Sequence, residues 1–423
     1  MATTEQNLTP SSSAAGARPR APILSETRTT SQVPRHLRRY LSLEDFHLGA
    51  RRRLPWMLYG FISGGVETDA TLRDNRRIFE DYAFVPRVLV DVTGRSRSTT
   101  IFGRTYAAPF GIAPMGASAI AAYRGDCVLA GAAAAAGIPM IMSAASLIPL
   151  EEIRRSGTTT WYQAYLPGDT ARIEALIDRV VAAGFDTLVL TVDVPVPSNR
   201  ENNVRNGFSI PLQPSLRLLW QGATHPSWVL GTMLRTLLRH GMPHMENMDA
   251  VRGPPFLSRH LVRALGNRDG LTWEHLRLIR LRWKGKLVVK GILSKEDAEQ
   301  ARESGADGII VSNHGGRQLD GATSPLRVLP EIAAASGGMT VMIDSGFRRG
   351  TDILKALALG ADFVFLGRPF LYAAAVGGAE GVTHAINLLS EEINRDMALL
   401  GIKSLDELGP EFVTRIGGPD SAR

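Results

Sequence analysis

From residue 105 onward, short apolar runs alternate with segments of helical length. The runs occupy residues 110–114, 139–143, 160–166, 187–193, 287–291, 308–313, 340–344 and 362–367. Strands buried on both faces of a parallel sheet read as such continuous runs. Between them lie stretches such as 295–303 and 351–359 that suit helices. Repeated strand–helix units predict an α/β fold with a parallel sheet. Eight of them predict a closed (β/α)8 barrel of the TIM type, with an open doubly wound sheet as the alternative. Ahead of the barrel, Ser42 followed by Asp45 is a capping-box pattern that starts a helix running to about Arg53. A second helix is expected from Pro55 to Ile62, ending at Gly64-Gly65.

Two stretches break this rhythm. Residues 1–34, rich in Ser, Thr, Ala, Pro and Arg without periodicity, predict a disordered tail. That leaves 35–423 as one domain, with ordered structure expected from near Ser42. After the fourth strand, about 90 residues separate Asp193 from Leu287. A long loop over about 200–270 is expected there, of a length that compact domains keep for lids and binding loops.

The 423 residues are 44% hydrophobic and 21% charged, ample for a core, and carry a formal net charge of +7. That balance suits an anionic partner, but the arginines are spread along the chain, which speaks against nucleic acid. The lone Cys127 excludes an internal disulfide and a multi-cysteine metal site, and no metal is expected. It is either a core filler in an alanine-rich stretch or a reactive thiol. No apolar run is long enough to span a membrane, and no secretory signal is legible. Glu5 and Glu26 argue against a transit peptide, so a cytoplasmic location is expected. Residues 205–252 interleave Trp220, Trp228, Leu and Met with Arg217, Arg235 and Arg239, which suits either a membrane interface or an amphipathic lid.

In a TIM-type barrel, the C-terminal strand ends face the active site. Here those ends carry Pro114-Met115-Gly116, Ser143, Gln163 and Tyr165, Thr191 and Asp193, Lys290, Ser312 and His314, Asp344, and Gly367-Arg368. Polar groups at nearly every end are costly in a plain core, so a site is built there. Asp344-Ser345-Gly346-Phe347-Arg348 and Leu366-Gly367-Arg368 follow strands seven and eight, where such barrels bind phosphate. Each by itself is a short Gly/Arg turn. His314, before Gly315-Gly316, is either a satisfied structural residue or a general base. Asp193 is either a turn carboxylate or the group that orients that imidazole. Arg200 and Arg317 are forks suited to a carboxylate, or solvated loop charges. Lys290, within Leu-Val-Val-Lys-Gly, either meets something negative or snorkels out of the barrel.

These segments carry a resemblance. From about Leu54 to the C-terminus the chain resembles the FMN-dependent α-hydroxy acid dehydrogenase/oxidase family. The residues that carry it are Leu54-Pro55, Gly64-Gly65, Ala113-Pro114-Met115-Gly116, Gln163-Ala164-Tyr165, Thr191-Val192-Asp193, Val289-Lys290-Gly291, the Ser-Asn-His-Gly-Gly-Arg-Gln-Leu-Asp run at 312–320, Asp344 to Gly350, and Leu366-Gly367-Arg368. The 312–320 run is the most specific. Thr224-His225-Pro226-Ser227-Trp228 looks most like the lactate and mandelate dehydrogenase branch.

The resemblance implies FMN as cofactor and oxidation of a small L-2-hydroxy acid, lactate- or mandelate-like, to the 2-oxo acid. Electrons would pass to a quinone or cytochrome; an oxygen-using oxidase that makes hydrogen peroxide is the alternative. Gly116 stands where the family's oxidases usually carry alanine, which resembles the dehydrogenases. His314 would be the base, paired with Asp193. Arg200 and Arg317 would hold the substrate carboxylate, and Tyr165 would reach the substrate oxygens. Lys290 would sit by the flavin N1/O2 edge. Pro114-Met115-Gly116, Ser143, Gln163, Thr191 and Ser312 would contact the ring and ribityl chain. Asp344, Ser345, Gly346, Phe347, Arg348, Gly367 and Arg368 would hold the ribityl and phosphate end. A homotetramer and a peripheral contact with the inner face of the cell membrane are further implications. One departure stands out: where the family carries a tyrosine that bonds the substrate carboxylate, this chain has Phe61. Losing that donor costs about 1.5–3 kcal/mol of binding. Either Tyr59 swings in to replace it, or the substrate is a larger aryl or alkyl hydroxy acid.

Overall fold

The computed structural model describes residues 33–208, 215–258 and 268–416. Nearly all of the expected tail, residues 1–32, lies outside them, as do 209–214 and 259–267 of the long loop. Eight parallel strands close into a barrel: β1 (Phe110–Ile112), β2 (Met140–Ser143), β3 (Thr160–Ala164), β4 (Thr187–Thr191), β5 (Lys286–Ile292), β6 (Gly308–Val311), β7 (Thr340–Ile343) and β8 (Phe363–Leu366). Pairing of β8 with β1 and of β6 with β7 completes the ring, which excludes the open sheet. Most strands stop a residue or two before the apolar runs do. Pro114, Leu166, Asp193, Asn313, Asp344 and Gly367 already lie beyond the ladders.

The barrel is filled rather than hollow. Ile141, Trp161, Val189, Val288, Ile310, Met342, Phe363 and Phe365 form the inner layer, with Trp161 edge-on to Phe365 at 5.4 Å. A hairpin of Thr99–Ile101 and Arg104–Tyr106, not evident in the sequence pattern, adds Ile101 and Tyr106 to that layer. Its neighbours are Gly308 and Phe363, at the starts of β6 and β8, so it seals the N-terminal end of the barrel. A second, larger core lies between the strands and the outer helices.

The N-terminal helices cover the other end. Helix α1 (Leu43–Arg53) opens on the expected Ser42–Asp45 capping box, and α2 (Trp56–Ser63) stops at Gly64. Order begins earlier than Ser42, with a 3-10 turn at Arg35–Leu37 that buries Leu37 completely. Helix α3 (Ala70–Arg77) follows.

About half of the described part of the long interval is helical. Helix α4 (Leu216–Thr224) buries Gln221, whose Oε1 accepts from Met57 N at 2.8 Å, and turns Leu216, Leu219 and Trp220 outward. A helical stretch from Pro226 to His240, with a π-helical middle, exposes Leu230, Leu234 and Leu238. Trp228 departs from the interfacial reading: its Nε1 donates to Ile120 O at 2.8 Å and its ring packs on the core. No helix among the described residues is long and apolar enough to cross a membrane. Helix α5 (Arg368–Leu400), broken at Gly378, starts directly at the end of β8.

Candidate active site

The C-terminal strand ends converge because register and backbone shape force them together. Thr191 lies opposite Lys290, and Lys290 opposite Ile310. A bulge follows Lys290, and Gly291 there has φ +113°. A Cβ on Gly291 would sit 2.7 Å from Asp193 Cβ, so only glycine lets the Asp193 loop come this close. His314, Gly315 and Gly316 all take positive φ, a conformation that costs a histidine about 1–3 kcal/mol. The surroundings hold it there. Asn313 and Asn75 exchange amide hydrogen bonds at 2.7 and 2.9 Å, and Asp320 accepts from the backbone N–H groups of Thr68 and Thr71. Asn313 and Asp320 therefore frame the loop that presents His314.

His314 Nδ1 lies 2.8 Å from Asp193 Oδ1, and its Nε2 lies 3.4 Å from the Tyr165 hydroxyl. With Nδ1–H donated to the carboxylate, Nε2 is left as the free base toward the cavity. Burial penalises the imidazolium more than Asp193 supports it, so the pKa of His314 falls below the ordinary histidine value. Burial also opposes charge on Asp193, but His314 and Lys290 outweigh it and keep that carboxyl below the usual aspartate range. At neutral pH the pair is thus a carboxylate and a neutral imidazole. Lys290, almost fully buried, donates to Ser312 Oγ at 2.6 Å and pairs with Asp344 at 2.8 Å. Despite burial, Asp344 and Asp193 hold its pKa above the ordinary lysine value. The negative partner expected for Lys290 is therefore Asp344, a residue otherwise assigned to the ribityl end.

Four further cations are half-buried and without carboxylate partners among the described residues. Arg317 donates to the carbonyls of Phe61, Ile62 and Gly64, and Arg368 to those of Ile62, Gly64 and Gly315. Arg200 donates to Gln318 Oε1 at 2.9 Å, and Arg348 to Phe347 O at 2.8 Å. Burial depresses all four pKa values, that of Arg348 to about 10. Carbonyl dipoles fix these guanidiniums without neutralising them, so the site is built to receive anions.

They surround a cavity of about 950 Å³, at the upper end of the range of about 300–1,000 Å³ for small-molecule sites. Tyr165, Thr191, Lys290 and His314 line it, as do Pro114-Met115-Gly116, Asp344 to Arg348 and Gly367-Arg368. Gly346, at φ +92°, leaves no room for a side chain, since its Cβ would lie 2.0 Å from Asn75 O. Gly367 caps the N-terminus of α5, where backbone N–H groups favour an anion. Thr191 Oγ1 is buried without a partner beside Lys290, which leaves it free for a ligand. A phosphate-bearing cofactor such as FMN fits this cradle, with room left for a carboxylate beside His314.

Some expected residues stand behind the cavity wall. Ser143 Oγ donates to Gln163 Oε1 at 2.9 Å, and Ser312 Oγ accepts from Lys290 and from His314 N. The Phe347 ring packs edge-on to Phe79 at 5.0 Å, so its contribution to a ligand is backbone. Phe61 lines the cavity, stacked on Phe208 at 4.3 Å, with the Arg317 guanidinium 5.2 Å from its ring centre. Tyr59 does not replace the missing phenol. Its hydroxyl lies 2.6 Å from His47 Nε2, whose Nδ1 is 2.7 Å from Glu44, and its ring is stacked on His47. Several cavity residues, among them Phe208, Met245, Phe256 and Arg268, escaped the sequence reading because they belong to the aperiodic interval.

Residues 50–415 match the family model described as FMN-dependent dehydrogenase. The chain is 39% identical to (S)-mandelate dehydrogenase of Pseudomonas putida over 385 residues, covering 90% of this chain and 95% of that one. It is 40% identical to L-lactate dehydrogenase of Pectobacterium atrosepticum over 377 residues, covering 88% and 96%. Among solved structures, the monotopic membrane protein (S)-mandelate dehydrogenase superposes with a TM-score of 0.82 at 38% identity, covering 89% of this chain and all of that one.

Proposed function

The chain belongs to the FMN-dependent dehydrogenase family, and from that premise we propose that it oxidises an L-2-hydroxy acid to the 2-oxo acid and delivers the electrons to a quinone or cytochrome. The observation that carries this reading is the His314–Asp193 pair set beside two uncompensated guanidiniums in the cavity that also holds the phosphate cradle. Arg200 and Arg317 hold the substrate carboxylate, and the Tyr165 hydroxyl supplies a further donor. His314 Nε2 takes a proton from the substrate, and Asp193 stabilises the imidazolium that forms. FMN, when bound, supplies the electron-pair acceptor. Arg348, Arg368, Gly346 and Gly367 would hold its phosphate end; Lys290, Thr191 and Pro114-Met115-Gly116 would hold its ring end.

A membrane acceptor is favoured by α4, whose buried face is polar Gln221 and whose outward face is Leu216, Leu219 and Trp220. The solved relative is itself described as a monotopic membrane protein. On this reading the enzyme sits peripherally on the cytoplasmic face of the cell membrane. The exposed apolar run Val85, Val88, Leu89 and Val90 supports assembly, here as a homotetramer.

The test is anaerobic reduction of the protein's flavin by a panel of L-2-hydroxy acids, in wild type and in His314→Asn. Bleaching by at least one acid, lost in the variant, is expected. If none of the panel reduces the flavin, the reading fails. Peroxide formed stoichiometrically in air would replace the dehydrogenase by an oxidase.

A further inference from the structure

Proton transfer and carboxylate binding leave one cation of the cavity without a task. The Arg268 guanidinium lies over the Tyr165 ring, 4.4 Å from its centre, and lines the same cavity. It forms no ion pair or hydrogen bond among the described residues, even with its neighbour Asp269. Five N–H donors are thus held at the cavity wall with only the face of an aromatic ring to balance them.

Its place in the cavity is set by Tyr165. The hydroxyl of that residue lies 3.4 Å from His314 Nε2, and the face of its ring carries the Arg268 guanidinium. One aromatic ring therefore separates Arg268 from the base. A substrate whose carboxylate sits on Arg200 and Arg317, with its carbinol at His314, extends its side chain away from the clamp. The cavity that holds Arg268 is also lined by the apolar Val194, Pro195, Pro197, Met245 and Phe256. A lone cation in such a setting matches a negative charge at the end of a short aliphatic chain.

We propose that Arg268 is a specificity-determining residue that receives a second anionic group carried by the substrate side chain, so that the site accepts L-2-hydroxy dicarboxylates. This rests on the hydroxy acid reading above and adds a second recognition point to it. The second carboxylate takes no part in the oxidation; the bonds broken at the carbinol are the same as for a monocarboxylate. It also bears on Phe61, because an added ion pair offsets the donor lost there.

The holoenzyme is assayed anaerobically with L-malate and L-2-hydroxyglutarate as dicarboxylates and with L-lactate and (S)-mandelate as monocarboxylates. The ratio of kcat/KM for the better dicarboxylate to that for the better monocarboxylate is compared among wild type, Arg268→Gln and Arg268→Lys. Replacing a charge-assisted contact by a neutral one is expected to lower that ratio roughly 10- to 100-fold in Arg268→Gln, and lysine should restore part of it. Binding of the matching 2-oxo dicarboxylate, read from the flavin absorbance without turnover, should weaken in parallel. Wild-type enzyme that is reduced by monocarboxylates but by neither dicarboxylate overturns this inference and leaves the hydroxy acid reading intact. A ratio unchanged in Arg268→Gln also overturns it, since a merely structural arginine would depress all substrates alike. Failure of every hydroxy acid overturns the parent reading instead.

Discussion

Replacing Asp193 with asparagine removes a charge from the imidazole while leaving it an acceptor of the same shape. In the structure the carboxylate oxygen lies 2.8 Å from His314 Nδ1 in a partly buried site, so the charge centres are about 4–5 Å apart. At an effective dielectric near 20 that separation gives about 3–4 kcal/mol of attraction, present only once the imidazole is protonated. The loss falls on the transition state rather than on bound substrate. It converts to a drop of roughly 10²–10³-fold in the limiting rate of flavin reduction, with little change in KM. Stopped-flow reduction under anaerobic conditions at saturating hydroxy acid reads it directly. The pH profile supplies a second check. In wild type the active form is the neutral imidazole, whose pKa lies below the ordinary histidine value, so the rate is flat around neutrality and falls only as the pH drops through that lowered pKa. Asp193 raises the pKa of His314, so removing its charge moves the acid limb to still lower pH while the plateau drops. A rate within threefold of wild type, or an acid limb displaced upward, would refute the assignment.

Three further outcomes follow from the same geometry. Phe61→Tyr places a phenol beside Arg317, and recovering about 1.5–3 kcal/mol lowers KM for lactate or mandelate roughly 10- to 100-fold; an unchanged or raised KM for every hydroxy acid tested refutes it. The half-buried guanidiniums of Arg200, Arg317, Arg348 and Arg368 repel one another without an anion, which FMN relieves; by mass action its binding stabilises the fold by about 2.7 kcal/mol at a hundredfold excess over its Kd. Stripping the flavin should lower Tm by several degrees, reversibly, and an apoprotein as stable as the holoenzyme would contradict this. Trp220→Asp together with Leu219→Asp, both on the exposed face of α4, shifts the protein from the membrane pellet to the supernatant with flavin reduction intact; wild type already confined to the supernatant removes the membrane contact.

The barrel was legible because its strands are buried on both faces, which turns each into a continuous apolar run that composition alone reveals. The hairpin at residues 99–106 was not, since three-residue strands carry no period. His314, Asp193, Arg200 and Arg317 could be picked out by residue type and by their place after a strand or within a run as specific as 312–320. Their neighbours' duties could not. Asp344 reads as a ligand of the cofactor's sugar chain; that it also pairs with Lys290 is decided by barrel closure across strands far apart in sequence, which no local pattern records. Tyr59, two residues from Phe61, looked able to reach the cavity. Two residues along a helix turn a side chain by about 200°, to the opposite face, and the His47–Glu44 contact holds it there. Arg268 gives no sequence signal at all, because the interval around it has neither periodicity nor motif. Helix α4 reads poorly for the opposite reason: its apolar stripe faces outward, so its pattern contradicts the usual sense of inside and outside.

The filled barrel and its sealed lower end also dictate an order of events. With Trp161 and Phe365 packed across the interior and Ile101 and Tyr106 stoppering one end, nothing passes through the cylinder. Hydroxy acid, oxo acid and electron acceptor must all approach from the C-terminal end of the cylinder, where His314 stands. An acceptor that uses the approach taken by the acid is served only after the oxo acid departs. Turnover is then an alternation of two half-reactions, and double-reciprocal plots at several fixed acceptor concentrations should run parallel; lines that intersect would mean that acid and acceptor are bound together.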